Sequence, residues 1–189
     1  MTDYRRRLPH WQPGGAFLFV TWRLAGSIQL PAPTGQPDSP HLSAGQAFVA
    51  LDRRSDRADS GPLWLRNPRI AEIVAQALRY GEQERKFYSL RAWVVMPNHA
   101  HVLFQPRVPL AVITRWLKGS TARKANLLLG RTGKAFWQDE SYDHWVRSEA
   151  ELQKIVRYIE RNPVAAGLVE AELAWLWSSA GQAAWSAVE

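Results

Sequence analysis

The stretch Ala92-Trp93-Val94-Val95-Met96-Pro97-Asn98-His99-Ala100-His101-Val102-Leu103-Phe104 constrains this chain more than any other. Two apolar runs rich in β-branched and aromatic residues flank Pro97-Asn98, and both of those residues form turns. The pattern predicts a hairpin of two buried strands around a tight turn. Successive side chains of a strand point to opposite faces. His99 and His101 therefore share one face, and Ala100 takes the other. Two imidazoles side by side on a rigid strand can grip a cation, or they can be plain histidines at a strand start. Polar rings on an apolar strand need a partner. A metal site would also need a third group from elsewhere in the chain.

A length of 189 residues suits one domain with its own core, spanning 1–189. Its charge is less ordinary: 24 Lys and Arg against 17 Asp and Glu leave +7. That surplus favours a polyanionic partner, and nucleic acid is the commonest. The absence of cysteine excludes a disulfide framework, thiolate chemistry and Cys-based zinc. Arg5, Arg6 and Arg7 are not followed by an apolar stretch, so no signal peptide is expected. Nothing approaches the ~20 apolar residues of a membrane span, and a soluble protein of the cytoplasm is expected.

Arg5, Arg6 and Arg7 form a short basic arm, either a solvated tail or a phosphate contact. The run from Ala16 to Leu24 is apolar on both faces and predicts a central first strand. Four prolines at positions 31, 33, 37 and 40 mark a loop at about 25–45, read as an insertion within one domain. A short helix is expected over 43–54. Asn67-Pro68 is a cap and first-turn pair. It opens a helix with Ile70, Ile73, Val74, Ala77 and Leu78 on one face, ending near Gly81. A strand over 87–96 leads into the hairpin.

Residues 107–134 carry seven positive charges and no acidic residue. Leu110, Ile113 and Leu117 predict that a helix begins here. Arg115, Lys118, Arg123 and Lys124, interleaved with hydroxyls and an amide, are the side-chain types that contact phosphates. A charged helix face is usually only solvated, but such faces normally mix signs. A last strand is expected over 142–146. Ser148-Glu149-Ala150-Glu151 reads as a capping box. The helix that follows should stop near Arg161, because Pro163 opposes continuation. Leu152, Ile155, Val156 and Ile159 make its buried stripe, with Tyr158 and Asn162 together at one edge. A tail from about 170 holds Trp175, Trp177 and Trp185. Among the aromatics, Trp11 and Trp116 sit beside basic residues and are candidates for base stacking.

His99-Ala100-His101 on a strand, a basic surface, and Arg157-Tyr158-Ile159-Glu160-Arg161-Asn162-Pro163-Val164-Ala165-Ala166-Gly167-Leu168-Val169 on a late helix resemble the single-tyrosine HUH transposases. The resemblance is strongest to the REP-associated tyrosine transposases within the IS200-like family. Leu8-Pro9-His10-Trp11, Val20-Thr21-Trp22-Arg23-Leu24, Met96-Pro97-Asn98-His99, Lys118-Gly119, Phe136-Trp137-Gln138 and Trp177-Ser178-Ser179 also look like that family. Only the Pro-rich loop falls outside the likeness.

The resemblance implies an α+β, ferredoxin-like HUH endonuclease fold, with helices packed on a central antiparallel sheet. It implies a transposase and single-strand endonuclease that binds palindromic hairpin DNA and cuts and rejoins it through a 5′-phosphotyrosine. His99 and His101 match the HUH pair, holding Mg²⁺ or Mn²⁺ in the family. Tyr158 matches the nucleophile and Asn162 the polar residue that completes metal coordination. By residue chemistry alone, imidazole suits Zn²⁺ or Mn²⁺ better. Tyr142 is the rival nucleophile, and His144 is either an active-site group or a satisfied core histidine. The partner is single-stranded or hairpin DNA, bound by a monomer or a homodimer. The alternative from another class is a catalytically silent protein that only binds DNA hairpins.

Overall fold

The computed structural model of the protein describes residues 15–27 and 61–186. The basic arm, Trp11, most of the Pro-rich loop and the helix expected over 43–54 lie outside the described residues.

The first strand, β1 (Leu18–Leu24), is buried along its whole length. It lies inside a four-stranded sheet of order β2-β3-β1-β4, with β2 Tyr88–Val95, β3 His99–Pro106 and β4 Trp137–Trp145. All three pairings are antiparallel. Helices α1 (Pro68–Gln83) and α2 (Leu110–Leu128) make the two crossovers, and α3 (Glu149–Ala165) follows the last strand. This order and connectivity are ferredoxin-like, as expected.

Side-chain parity along β1 divides the protein into two layers. Leu18, Val20, Trp22 and Leu24 pack under α1 and α2 with Ile70, Val74, Leu78, Ile113 and Leu117. Phe19 points to the opposite face, where α3 lays Leu152, Val156 and Ile159 over Val94, Met96 and Leu103. Alternation carries Thr21 and Arg23 to that same second face. Asn67 caps α1 as expected, its side chain accepting from the Arg69 backbone N–H at 3.0 Å. Gly81 lies inside the helix rather than ending it, with the Tyr88 hydroxyl packed where a side chain would stand.

Three expectations need correction. β4 begins at Trp137, not near 142. Trp137 is buried and pairs with Leu24, and the intervening Gln138, Asp139 and Glu140 are tolerated because β4 is an edge strand. α3 runs through Pro163 to Ala165. Pro163 has no N–H to give Ile159, but it is buried, and the last turn is closed by Ala166 and Leu168 donating to Asn162 and Pro163 carbonyls at 2.9 Å each. The capping box is also skewed. Ser148 accepts from Glu151 N at 3.2 Å, but Glu151 reaches back to the Arg147 N–H (2.7 Å) instead of that of Ser148.

The tail closes the other edge of the sheet. Val95 N–H donates to the Trp177 carbonyl at 2.8 Å, and Trp175 Nε1 donates to the Val95 carbonyl at 3.0 Å. A helix not anticipated from the sequence, α4 (Ser179–Ser186), follows. An uncovered β2 would offer a pairing edge to other chains.

Candidate active site

The hairpin turn presents His99 as the first residue of β3, and the Met96 N–H donates to its carbonyl at 2.8 Å. His99 and His101 are fully buried on the α3 side of the sheet, while Ala100 packs in the α1–α2 core. Their Nε2 atoms lie 3.0 Å apart. Behind them, His99 Nδ1 is 2.6 Å from Asn98 Oδ1, and His101 Nδ1 is 2.7 Å from Thr21 Oγ1. Thr21 stands opposite His101 in the β1–β3 register.

Both rings are neutral. Burial, with the Arg23 charge added, pushes His99 down to about 3. Burial also takes His101 well below its ordinary value, helped by His99 and Arg23. Neutral imidazoles are the form that binds a cation. The shift has a consequence for stability. The unfolded chain binds protons on these histidines below about pH 6.5, and the folded chain does not until far lower. Stability is therefore present above the unfolded value and falls as pH drops from about 6.5 towards 3. Thermal unfolding in chelator at pH 7.5 and 5.0 should show this loss, and a His99→Ala/His101→Ala variant should show a shallower one. Parallel pH slopes for the two proteins would contradict buried, neutral rings.

Tyr158 comes from α3. Its ring centroid lies 5.5 Å from that of His101 and 6.2 Å from that of Phe19, and the residue is 37% exposed. Phe19 itself stacks on His101 at 5.5 Å. Asn162 lies one helical turn on from Tyr158. It is 1% exposed, and neither its Oδ1 nor its Nδ2 has a hydrogen-bond partner. A buried amide left unpaired costs about 1–3 kcal/mol, so this side chain is suited to a ligand. Among the described residues no cluster of three His, Cys, Asp or Glu forms a metal site. A third ligand drawn from the described residues would thus be of another type, and an amide oxygen qualifies. These residues fit a divalent cation.

Tyr142 pairs with Thr21 and is presented to the same face, its ring 6.4 Å from Phe19. It stands across the sheet from the hairpin, on the edge strand. His144 is no part of the pair: its Nε2 lies 2.8 Å from Glu151 Oε1, fastening β4 to the first turn of the helix that carries Tyr158. Arg23 is the residue that sequence reasoning passed over as a functional group. It is 6% exposed, pairs with His99 across the strands, and its charge reaches both imidazoles. Its signal was available, since an arginine two residues from a threonine on one face of a central apolar strand needs a reason to be buried.

The basic residues lie elsewhere. Arg115, Arg123 and Lys124 are exposed on α2, across the sheet from Tyr158. Lys118 is half-buried, donates to the Asp139 carbonyl at 2.8 Å and has its affinity for a proton lowered by burial. Trp116 packs between Tyr80 and Phe87 at 6.1 and 5.6 Å. The structure thus brings the histidines, Tyr158 and the Asn162 helix face together and leaves the cationic helix on the other side.

Residues 65–162, just over half of the chain, match the family model described as "Transposase IS200 like". No curated protein matches the chain. Among solved structures, a REP-associated tyrosine transposase bound to a REP hairpin superposes with a TM-score of 0.53 at 20% identity, over 96% of this chain and 84% of that one. A candidate transposase from Deinococcus radiodurans R1 aligns at 17% identity over 86% of this chain and 98% of that one, with a TM-score of 0.35. No helix among the described residues is long and apolar enough to cross a membrane. The chain belongs to the IS200-like transposase family, a family of DNA transposases.

Proposed function

We propose that the chain is a single-strand DNA endonuclease and transposase that uses Tyr158 as nucleophile. In this reading the chain is a single domain, 1–189, akin to the REP-associated branch. The observation that carries it is the convergence of His99 Nε2 and His101 Nε2, 3.0 Å apart, with the Tyr158 ring against His101 and the unpartnered Asn162 amide one turn away.

His99, His101 and Asn162 would hold a divalent ion, Mg²⁺ or Mn²⁺. When bound, the ion would draw charge from the scissile phosphate. Burial, with the Arg23 charge added, keeps both imidazoles unprotonated, the form in which they can ligate. Tyr158 attacks phosphorus as its phenolic proton departs. The bond from phosphorus to the 3′ oxygen of the neighbouring nucleotide breaks, leaving a 5′-phosphotyrosine and a free 3′ hydroxyl. One phosphodiester is exchanged for another, so its energy is kept for rejoining. A phenol titrates near ~10, so Tyr158 needs help in losing its proton before it can attack. Phe19, packed against both His101 and Tyr158, sets the distance between helix and hairpin.

The substrate in this reading is a DNA hairpin with a single-stranded flank. The exposed cations of α2 supply sequence-independent affinity in this reading. Replacing Arg115, Arg123 and Lys124 together by Ala should weaken hairpin binding and lower the slope of log K against log salt by about 2 to 3. Titrations at several salt concentrations measure it; an unchanged slope would move the contact surface to Arg5, Arg6 and Arg7. The function itself is tested by incubating the protein with a hairpin oligonucleotide and Mn²⁺. A cut strand left covalently on the protein is expected, and cutting without attachment would overturn the proposal.

A further inference from the structure

Three hydrogen bonds in a row join β1, β3 and the hairpin turn: Thr21 Oγ1 to His101 Nδ1 (2.7 Å), His101 Nε2 to His99 Nε2 (3.0 Å), and His99 Nδ1 to Asn98 Oδ1 (2.6 Å). Their direction follows from one end. An amide oxygen only accepts, so His99 carries its proton on Nδ1 and turns the lone pair of Nε2 towards His101. The 3.0 Å contact then requires His101 to donate from Nε2. That leaves His101 Nδ1 as an acceptor, filled by the Thr21 hydroxyl. In this arrangement neither Nε2 can take a cation: the lone pair of His99 is filled by the His101 N–H, and the facing nitrogen of His101 holds that proton.

We propose that Thr21 is a positioning residue that allows His101 to exist in two tautomers, and that a cation binds the pair only when the His101 ring proton passes from Nε2 to Nδ1. The proposal rests on the reading of His99 and His101 as metal ligands. Nε2 gives one proton to water and Nδ1 takes one back, so the ring stays neutral and no net proton is released. A hydroxyl is both donor and acceptor. Thr21 can therefore donate to His101 Nδ1 before the exchange and accept from it afterwards. The Asn98 oxygen cannot reverse, and His99 keeps one tautomer throughout. Both histidines and Thr21 are fully buried, and Asn98 is 1% exposed, so loose water is a poor substitute for either partner.

The experiment is long-range nitrogen–proton correlation spectroscopy of ¹⁵N-labelled protein at one fixed pH, first in chelator and then with Zn²⁺, a diamagnetic ion. In chelator, His99 should be protonated at Nδ1 and His101 at Nε2. With Zn²⁺, both should be protonated at Nδ1. Thr21→Val keeps the shape but not the hydroxyl, and calorimetry should show Zn²⁺ affinity lower by about 10–100-fold. Thr21→Ser should restore it. His101 already protonated at Nδ1 in chelator would overturn the proposal while leaving the metal reading standing. So would Zn²⁺ binding to Thr21→Val as tightly as to wild type. Failure of wild type to bind Zn²⁺ or Mn²⁺ at all would instead remove the metal reading, and the proposal with it.

Discussion

Mixed with a single-stranded hairpin oligonucleotide and Mg²⁺ or Mn²⁺, the wild-type protein should yield a covalent protein–DNA adduct, and Tyr158→Phe should yield none. The variant loses one oxygen and nothing else. The ring contacts with His101 and Phe19, which are contacts of its faces and edges, survive in phenylalanine. Folding and hairpin binding should accordingly be unchanged, while cleavage falls by roughly 10⁴-fold or more, the order seen when a nucleophile is deleted. Peptide mapping of the wild-type adduct by mass spectrometry should place the linkage on Tyr158. Tyr142 provides a real alternative, because its pairing with Thr21 presents it to the same face of the sheet. An adduct mapped to Tyr142 would overturn the choice of nucleophile and keep the chemistry. Asn162→Ala should slow the reaction without abolishing it, since two imidazoles would remain.

The parts of this protein that were legible in its sequence are those governed by local periodicity. A two-residue repeat put His99 and His101 on one face. A 3.6-residue repeat joined Tyr158 to Asn162, and Asn67-Pro68 announced the start of α1. What was not legible depends on contacts far apart in the chain. The basic helix and the tyrosine helix occupy opposite faces of the sheet because α2 is a crossover, whereas α3 folds back after the last strand. No local pattern in 107–134 encodes that. The Thr21–His101 bond likewise needs the register of β1 on β3, eighty residues away. Pro163 misled for another reason. Its cost to a helix is real, but close to the C-terminal end it removes only one bond, and its ring is buried. Glu151 shows the same limit from the other side. The capping-box spacing was present, yet His144 on β4 drew the carboxylate away, so a local motif was bent by a tertiary partner.

Removing either imidazole should have the second largest effect. Calorimetric titration of Mn²⁺ into His99→Ala and His101→Ala should show at least ~100-fold weaker binding than wild type, and the variants should lose adduct formation in step. The expectation comes from the geometry of the pair. With Nε2 atoms 3.0 Å apart, each ring would be half of one bidentate site, and the remaining ligand set would be a single imidazole and an amide oxygen. One neutral nitrogen and one neutral oxygen, backed by the positive charge of Arg23, are a poor match for a divalent ion. Hairpin affinity should be nearly unaffected in both variants, because the exposed cations of α2 lie on the other face of the sheet. That separation makes the test sharp. Weaker DNA binding alongside intact Mn²⁺ binding would mean that the histidine face is a DNA contact and not a metal site. Equal Mn²⁺ affinity in all three proteins would sink the site, whatever the DNA does.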